Sequence, residues 1–173
     1  MPRGKESDPF QAALRMLSRR PYSTAEMRRA LARKYPDSGE AISQTLHRLR
    51  ELGFLNDAQF AEQAARSLAR RRLGRIRTRR ELRAKLVDYR VIEPALERAY
   101  DGVDERLALE QILDRKIPTL RRPFTRARFA SLCQSLLRRG FRPDDIMKAV
   151  RSRPELQPVA DDDGIVVIED EPK

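Results

Sequence analysis

The sequence predicts an all-α fold of three tandem three-helix repeats that form an elongated, curved helical array. Apolar residues recur three or four positions apart, as in Ile42, Leu46 and Leu49, and no segment sustains the alternation of a strand. Charged residues make up 36% of the chain and aromatic residues 6%, which favours helices with thin apolar cores and charged outer faces. One helical pattern also occurs three times, which is typical of proteins that bind partners along a repeated surface.

The repetition is carried by helix caps and by apolar positions. Ser23 and Glu26 have the spacing of a capping box, in which each side chain accepts a hydrogen bond from the other residue's amide. Thr78 and Glu81 repeat this spacing 55 residues later. A third copy lacks the cap but repeats five apolar positions of the second copy 50 residues later, where Leu82, Leu86, Val91, Leu96 and Tyr100 correspond to Leu132, Leu136, Phe141, Ile146 and Val150.

The first repeat is expected over residues 9–55. Its first helix is predicted over residues 9–19, because Pro21 disfavours the helical conformation of the residue before it. Ser23 then begins the second helix. Gly53 ends the third, since glycine readily adopts the left-handed conformation that follows many helices.

The second repeat is expected over residues 56–103. Asn56 begins its first helix, with Gln59 at the position of a capping box. Gly74 interrupts the helical run, and Thr78 is predicted to cap the second helix. Pro94 fits the first turn of the third helix, where its missing amide hydrogen costs nothing.

The third repeat is expected over residues 104–153. Its first helix starts near Asp104 and is broken by Pro118. A second helix is predicted up to Gly140, where the chain turns, and Pro143 opens the last helix.

Net charge divides the chain into a basic body and an acidic tail. The whole chain carries +11, but the segment from Glu155 to the end holds seven acids and one base, which leaves +17 on the rest. Residues 154–173 are therefore predicted to form an acidic disordered tail, and the polar residues 1–8 a disordered N-terminus. So basic a body points to a polyanionic partner, most often nucleic acid.

The residue types needed for catalysis are scarce. Cys133 and His47 are the only residues of their kinds and lie far apart, so a zinc site or a Cys-His pair is not expected. No glycine-rich phosphate loop or paired carboxylates stand out, so neither enzymatic activity nor a cofactor is expected. No apolar run approaches the ~20 residues of a membrane span, and no signal peptide is evident, which predicts a cytoplasmic protein.

The strongest charge feature lies in residues 70–80, where seven of eleven residues are Arg. Arginine is suited to binding phosphate because its planar guanidinium group can donate two parallel hydrogen bonds. Amides at a helix start near Thr78 would add to an anion site. The alternative is a solvated loop without a partner. The candidate partner- or DNA-binding residues are Arg66, Arg70, Arg71, Arg72, Arg75, Arg77, Arg79, Arg80, Arg83 and Lys85.

Several motifs of the second repeat occur in an order and spacing that are informative together. They are Gly53-Phe54-Leu55-Asn56-Asp57-Ala58-Gln59-Phe60-Ala61, a basic stretch with a glycine, and Glu81-Leu82-Arg83-Ala84-Lys85-Leu86. In these motifs, and in Arg138-Arg139-Gly140-Phe141 near the end, the chain resembles the RecX family over about residues 10–151. It departs from the family pattern at Tyr89-Arg90-Val91, where a glycine is usual.

The resemblance implies a regulatory protein that binds the RecA recombinase filament on DNA. It would lodge in the filament's helical groove and inhibit RecA ATPase, strand exchange and coprotease activity, so regulating recombination, DNA repair and the SOS response. Single- or double-stranded DNA phosphates are expected as additional contacts, and a monomer is expected. The alternative is a general basic DNA- or RNA-binding helical protein without a recombinase partner. Such a protein would lose its affinity steeply with salt, because phosphate contacts would dominate binding.

Overall fold

The computed structural model describes residues 8–122 and 124–158, and within them it contains α-helices and short 3-10 helices but no strand. The predicted all-α class is confirmed. The α-helices are α1 (Pro9–Leu17), α2 (Thr24–Lys34), α3 (Gly39–Glu51), α4 (Asp57–Arg70), α5 (Arg75–Ala84), α6 (Tyr89–Ala99), α7 (Glu105–Lys116), α8 (Arg126–Arg139) and α9 (Pro143–Arg151). Two 3-10 helices follow α7 and α9, at Ile117–Thr119 and Pro154–Leu156.

Each group of three helices has a hydrophobic core of its own. We call α1–α3, α4–α6 and α7–α9 the first, second and third units. Their apolar faces meet within each unit and form three separate buried clusters. This confirms the tandem arrangement of three-helix units. Side chains that are fully buried at the centres of these clusters include Met27, Leu31 and Leu46 in the first unit, Leu82, Ile92 and Leu96 in the second, and Leu109, Leu113 and Leu136 in the third.

Side-chain caps fix where several helices begin. The Asn56 side chain accepts a hydrogen bond from the amide of Gln59 at 3.0 Å, as its position predicts. The Ser23 hydroxyl accepts from the amide of Glu26 at 3.1 Å. The reciprocal half of this capping box is replaced, because the Glu26 carboxylate pairs with both terminal nitrogens of Arg20 at 2.9 and 3.0 Å.

The predicted cap at Thr78 is wrong. Helix α5 begins three residues earlier, at Arg75, with Gly74 as its cap. Thr78 lies inside the helix and is fully buried, 2.7 Å from the hydroxyl of Tyr100, which donates to the Leu73 carbonyl at 2.6 Å. A threonine is tolerated there because its hydroxyl finds a buried polar partner.

The predicted place of Pro94 is also wrong. Asp88 caps α6 by accepting a hydrogen bond from the amide of Arg90 at 2.8 Å, so the helix begins at Tyr89. Pro94 therefore lies inside α6 and not in its first turn. A proline favours the first turn of a helix, but here the aspartate cap six residues before it determines where the helix starts.

The register between the second and third units differs from the constant offset that the apolar pattern suggested. Leu86 and Gly140 both have positive φ, at 58° and 90°; Leu86 is the second residue after α5, and Gly140 is the first after α8. They occupy equivalent turns, although the sequence pattern aligned Leu86 with Leu136. The residues that follow these turns, Val87 and Phe141, are buried, whereas Leu86 is 38% exposed. The offset fails because α8 has 14 residues and α5 has 10.

The polypeptide remains packed a few residues beyond the predicted start of the tail. Leu156 is fully buried in the core of the third unit. Nη1 of Arg122 donates to the carbonyl of Glu155 at 3.0 Å. The boundary at residue 154 therefore comes too early, because the acid-rich composition hid one apolar anchor. The remainder of the predicted tail, from residue 159, and residues 1–7 lie outside the described residues.

The second and third units meet through main-chain atoms at a pair of glycines. The amide of Gly74 donates to the carbonyl of Arg139 at 2.9 Å. A Cβ on Gly74 would overlap the main chain of Gly140, and a Cβ on Gly140 would overlap the main chain of Arg77. Both positions therefore require glycine for a close approach of two helix ends.

The first and second units are joined by side chain to main chain hydrogen bonds. The Ser23 hydroxyl donates to the carbonyl of Lys85 at 2.5 Å. The amide of Thr24 donates to the Asp57 carboxylate at 2.7 Å. The start of α2 is thus held against the second unit by two hydrogen bonds.

Candidate polyanion-binding surface

The arginine-rich segment, residues 70–80, runs from the end of α4 through a turn into α5. Arg70 is the last residue of α4, and Arg71 follows as its cap. Arg72 takes a positive φ of 54°, which turns the chain towards Gly74. The segment begins as a helix end and continues as a helix start, so its side chains leave the main chain in different directions.

Three of its arginines are neutralised within the protein. Arg75 donates its amide to the Glu105 carboxylate at 2.9 Å, and its Nε lies 3.4 Å from the same carboxylate. The Arg77 guanidinium pairs with Glu81 at 2.5 Å. Arg79 binds Glu93 through two parallel hydrogen bonds of 2.7 and 2.8 Å. These side chains stabilise the fold, and their charges are already balanced.

The ion pair of Arg79 and Glu93 changes the pKa of both groups. Hydrogen bonding from Arg79 lowers the pKa of Glu93 below its ordinary value, against an opposing effect of burial. Donation of these hydrogen bonds to Glu93 raises the pKa of Arg79. A bidentate pair of this kind holds the guanidinium in one orientation, which makes it unavailable to an external phosphate.

Arg66 belongs to a different part of the surface, between α4 and α6. The Glu62 carboxylate lies 2.6 Å from Arg66 and 3.1 Å from Arg98, so one acid is shared by two arginines. Arg66, Arg70 and Arg98 line a groove of about 340 Å³ with the exposed Val103 at its edge. This part of the surface keeps an excess of positive charge.

The remaining predicted residues have no ion pair within the described part of the chain. Arg70, Arg71, Arg80 and Arg83 are exposed, and Arg72 is half-buried. The half-buried Lys85 contributes its main-chain carbonyl to the contact with the first unit. On α5, Arg80 and Arg83 share an exposed face with Ile76, which is 46% exposed.

The ten predicted residues therefore do not form a single patch. Arg66 and Arg70 line the α4–α6 groove, whereas Arg75 and Arg79 line a second groove of about 460 Å³ together with Arg142. The two grooves share no lining residue. Arg98 and Arg142 were not among the residues predicted from the sequence, because tertiary packing brings them to these grooves. For Arg98 the only sequence signal was its place on an amphipathic helix with Leu96 and Ala99.

The described residues contain neither a cluster of metal ligands nor a helix that could span a membrane. No group of three or more His, Cys, Asp or Glu side chains among them is placed to hold a metal ion. Burial raises the pKa of the Cys133 thiol, which disfavours the reactive thiolate. No helix in residues 8–122 and 124–158 is long and apolar enough to cross a bilayer.

Three helical units with basic grooves define a class of protein, a helical-repeat binding protein with a cationic surface. Comparison with known proteins identifies the family. Residues 10–49 match the model of the first three-helix domain of RecX, and residues 56–96 match that of the second. The chain belongs to the RecX family of regulatory proteins.

Relatives of this family resemble the chain over most of its length. A regulatory protein RecX from Stenotrophomonas maltophilia strain R551-3 is 34% identical over 154 residues, which cover 88% of this chain and 91% of the relative. A regulatory protein RecX from Chlorobaculum tepidum is 36% identical over 121 residues, covering 69% and 72%. The crystal structure of RecX from Lactobacillus salivarius superposes with a TM-score of 0.65 at 26% identity, covering 84% of this chain and 94% of that one.

Proposed function

We propose that this protein binds the RecA–DNA filament in the cytoplasm as a monomer and inhibits RecA ATPase, strand exchange and coprotease activity. It would thereby regulate DNA repair, recombination and the SOS response without any catalysis of its own. Membership of the RecX family over most of the chain is the observation that carries this proposal.

The arrangement of charge supports a partner that is itself a long polyanionic assembly. Each unit has an independent core, so three units can contact successive positions of a repeating lattice. Linked contacts of this kind raise affinity through effective concentration, even where each contact is weak. Arg71, Arg80 and Arg83 of the second unit are exposed and form no salt bridge within residues 8–122 and 124–158. They are suited to DNA phosphates or to an acidic surface of RecA.

The test is a RecA ATPase assay on single-stranded DNA into which the protein is titrated. We expect the wild-type protein to inhibit, and the triple variant Arg71→Ala, Arg80→Ala, Arg83→Ala to need about tenfold more protein for half-inhibition. Three exposed charge contacts of about 0.5 kcal/mol each together give about that factor. Arg75, Arg77 and Arg79 are unsuitable for this test because their loss would disturb ion pairs within the fold.

A charge-matched control removes three exposed arginines of the first unit, Arg19→Ala, Arg29→Ala and Arg33→Ala. A tenfold loss in this control as well would assign the effect to net charge and would refute a specific role of the second-unit arginines. Absence of any inhibition by the wild-type protein would refute the inhibitory role itself.

The rival function, general nucleic-acid binding, makes a different prediction about salt. Binding through phosphates alone weakens by several orders of magnitude as salt rises from 50 to 200 mM. We expect measurable binding to RecA filaments to persist at a salt concentration where binding to naked DNA has vanished. Parallel loss of both would favour the general nucleic-acid binder.

A further inference from the structure

A third basic groove lies in the third unit, away from the arginine-rich segment. It is bounded by the end of α7, the 3-10 helix that follows, and α8, and it encloses about 370 Å³. We call it the third-unit groove. The residues used below are Lys116, Arg121, Arg128, Ser131, Ser135 and Arg138, all of which line it.

The groove is built largely on one face of α8. Arg128, Ser131, Ser135 and Arg138 follow one another at spacings of three and four residues, so they form a continuous stripe along the helix. With a rise of 1.5 Å per residue, the stripe is about 15 Å long. Along the axis of a duplex, successive phosphates of one strand are about 3.4 Å apart, so the stripe matches the axial rise of about four phosphates.

Polar contacts hold two of the cations at the walls of the groove. Nζ of Lys116 donates to the Ser135 hydroxyl at 3.3 Å. Nη1 of Arg128 donates to the main-chain carbonyl of Arg121 at 2.9 Å. The acceptor of Lys116 is a neutral hydroxyl, so this contact orients the ammonium group without neutralising its charge.

The charge of the groove is one-sided. Lys116, Arg121 and Arg138 line it together with two serine hydroxyls, and none of its lining residues in the described chain is a carboxylate. Three arginines of α5 differ in this respect, because Glu105, Glu81 and Glu93 neutralise Arg75, Arg77 and Arg79. A cluster of cations without acids is stable only with an anion or water nearby, and it attracts polyanions.

We infer that the third-unit groove binds the phosphate backbone of nucleic acid, with Lys116, Arg121 and Arg138 as the phosphate contacts and Ser131 as an additional hydrogen-bond donor. The open shape and the linear stripe fit a strand that passes through, and they are less suited to a single small anion. This inference deepens the proposed function, on which it rests for the presence of DNA, but it does not require RecA.

The experiment measures binding to a fluorescent single-stranded DNA oligonucleotide without RecA over a range of salt concentrations. The variant is Lys116→Gln, Arg121→Gln, Arg138→Gln in the full chain. Since each phosphate contact on a single strand contributes about 0.7 to the slope of log affinity against log salt, we expect the slope to shrink by about 2. The control with Arg19, Arg29 and Arg33 changed to Gln removes the same charge, and we expect its slope to change by less than 1.

Two further variants keep the outcome decisive. The exposed single change Arg138→Gln tests the site if the triple variant unfolds, and we expect a slope change of about 0.7. The variant Arg121→Lys, Arg138→Lys retains charge and should keep most of the affinity. An unchanged slope in the groove variants, or an equal loss in the first-unit control, would overturn the inference.

Other anions are tested in the same way. Binding of the wild-type protein to phosphatidylserine vesicles that depends on the three groove residues, without such dependence on DNA, would also overturn it. Competition by inorganic phosphate at millimolar concentration, equal to that by the oligonucleotide per phosphate, would do the same. If RecA inhibition fails while the groove variants lose DNA binding, the proposed function is refuted and the groove is not.

Discussion

The second and third units carry similar numbers of cations, but they use them differently. In the second unit, Arg75, Arg77 and Arg79 are paired with carboxylates from the same unit or from the start of α7. In the third-unit groove Lys116 contacts a neutral hydroxyl, and no carboxylate is among the lining residues that the structure describes. The number of arginines in a segment is therefore a poor guide to its net positive charge at the surface. That charge also depends on how many carboxylates lie nearby.

The largest expected loss of stability comes from disrupting the contact between the second and third units. In Gly140→Ala the new Cβ would overlap the main chain of Arg77 and would also sit at a φ of 90°. We expect the free energy of unfolding to fall by about 3 kcal/mol, because a main-chain overlap cannot be relieved by rotating a side chain. Urea denaturation followed by circular dichroism measures this.

Gly53→Ala is the matched control for that substitution. Gly53 also has a positive φ, 74°, but a Cβ there would meet nothing within 4 Å. We expect a loss of only about 1 kcal/mol from the left-handed conformation. Equal losses at both glycines would contradict the role assigned to the contact between units.

An intermediate effect is expected from releasing Arg79. In Glu93→Gln the bidentate pair is lost, and we expect stability at pH 7 to fall by no more than about 1 kcal/mol, since both side chains are partly exposed. The folded pKa of Glu93 is lowered, so the pair stabilises the protein above the unfolded value of about 4.3. This stabilisation is lost as the pH falls through the folded pKa.

The measurement is urea unfolding of the wild-type protein and Glu93→Gln at pH 7 and at acid pH. The difference between them should shrink as the solution is acidified. Glu97→Gln, an exposed acid on the same helix without an ion pair in the described chain, is the control and should change stability little. A difference that stays constant down to the lowest pH at which the protein is folded would refute the electrostatic assignment.

The smallest effect is expected from the acidic C-terminal segment. Truncation after Pro158 removes six acids and one base and keeps the buried Leu156, leaving +16 on the chain. We expect affinity for naked DNA to rise roughly threefold, about 0.6 kcal/mol, because repulsion between the segment and phosphates is removed. A full-length chain with the six acids changed to their amides should behave alike, and weaker DNA binding in either variant would contradict the prediction.

Local patterns predicted the helices well, because a helix is decided by residues three and four positions apart. The stripe of Ile42, Leu46 and Leu49 and the cap at Asn56 are found as expected. Thr78 was misassigned because its partner, the hydroxyl of Tyr100, lies 22 residues away, directly after the end of α6. Tertiary hydrogen bonds of this kind have no signature at short range.

The candidate site was less predictable than the fold for the same reason. The pair of Arg77 and Glu81 is visible in the sequence, since its members are four residues apart on a helix. The partners of Arg75 and Arg79 lie on other helices and neutralise charges that the sequence counted as free. In the third-unit groove, the spacing of Arg128 and Arg138 was readable, but Lys116 joins them only through the packing of α7 against α8.

The contact between Gly74 and Gly140 has a consequence for how such a protein changes over evolution. The second and third units touch there through peptide groups, whose dimensions are the same whatever side chains surround them. Arginines can be gained, lost or neutralised on either unit without altering the separation of the two units. Charge and geometry are thus free to vary independently, so the strength of binding can be tuned while the spacing offered to a periodic partner stays constant.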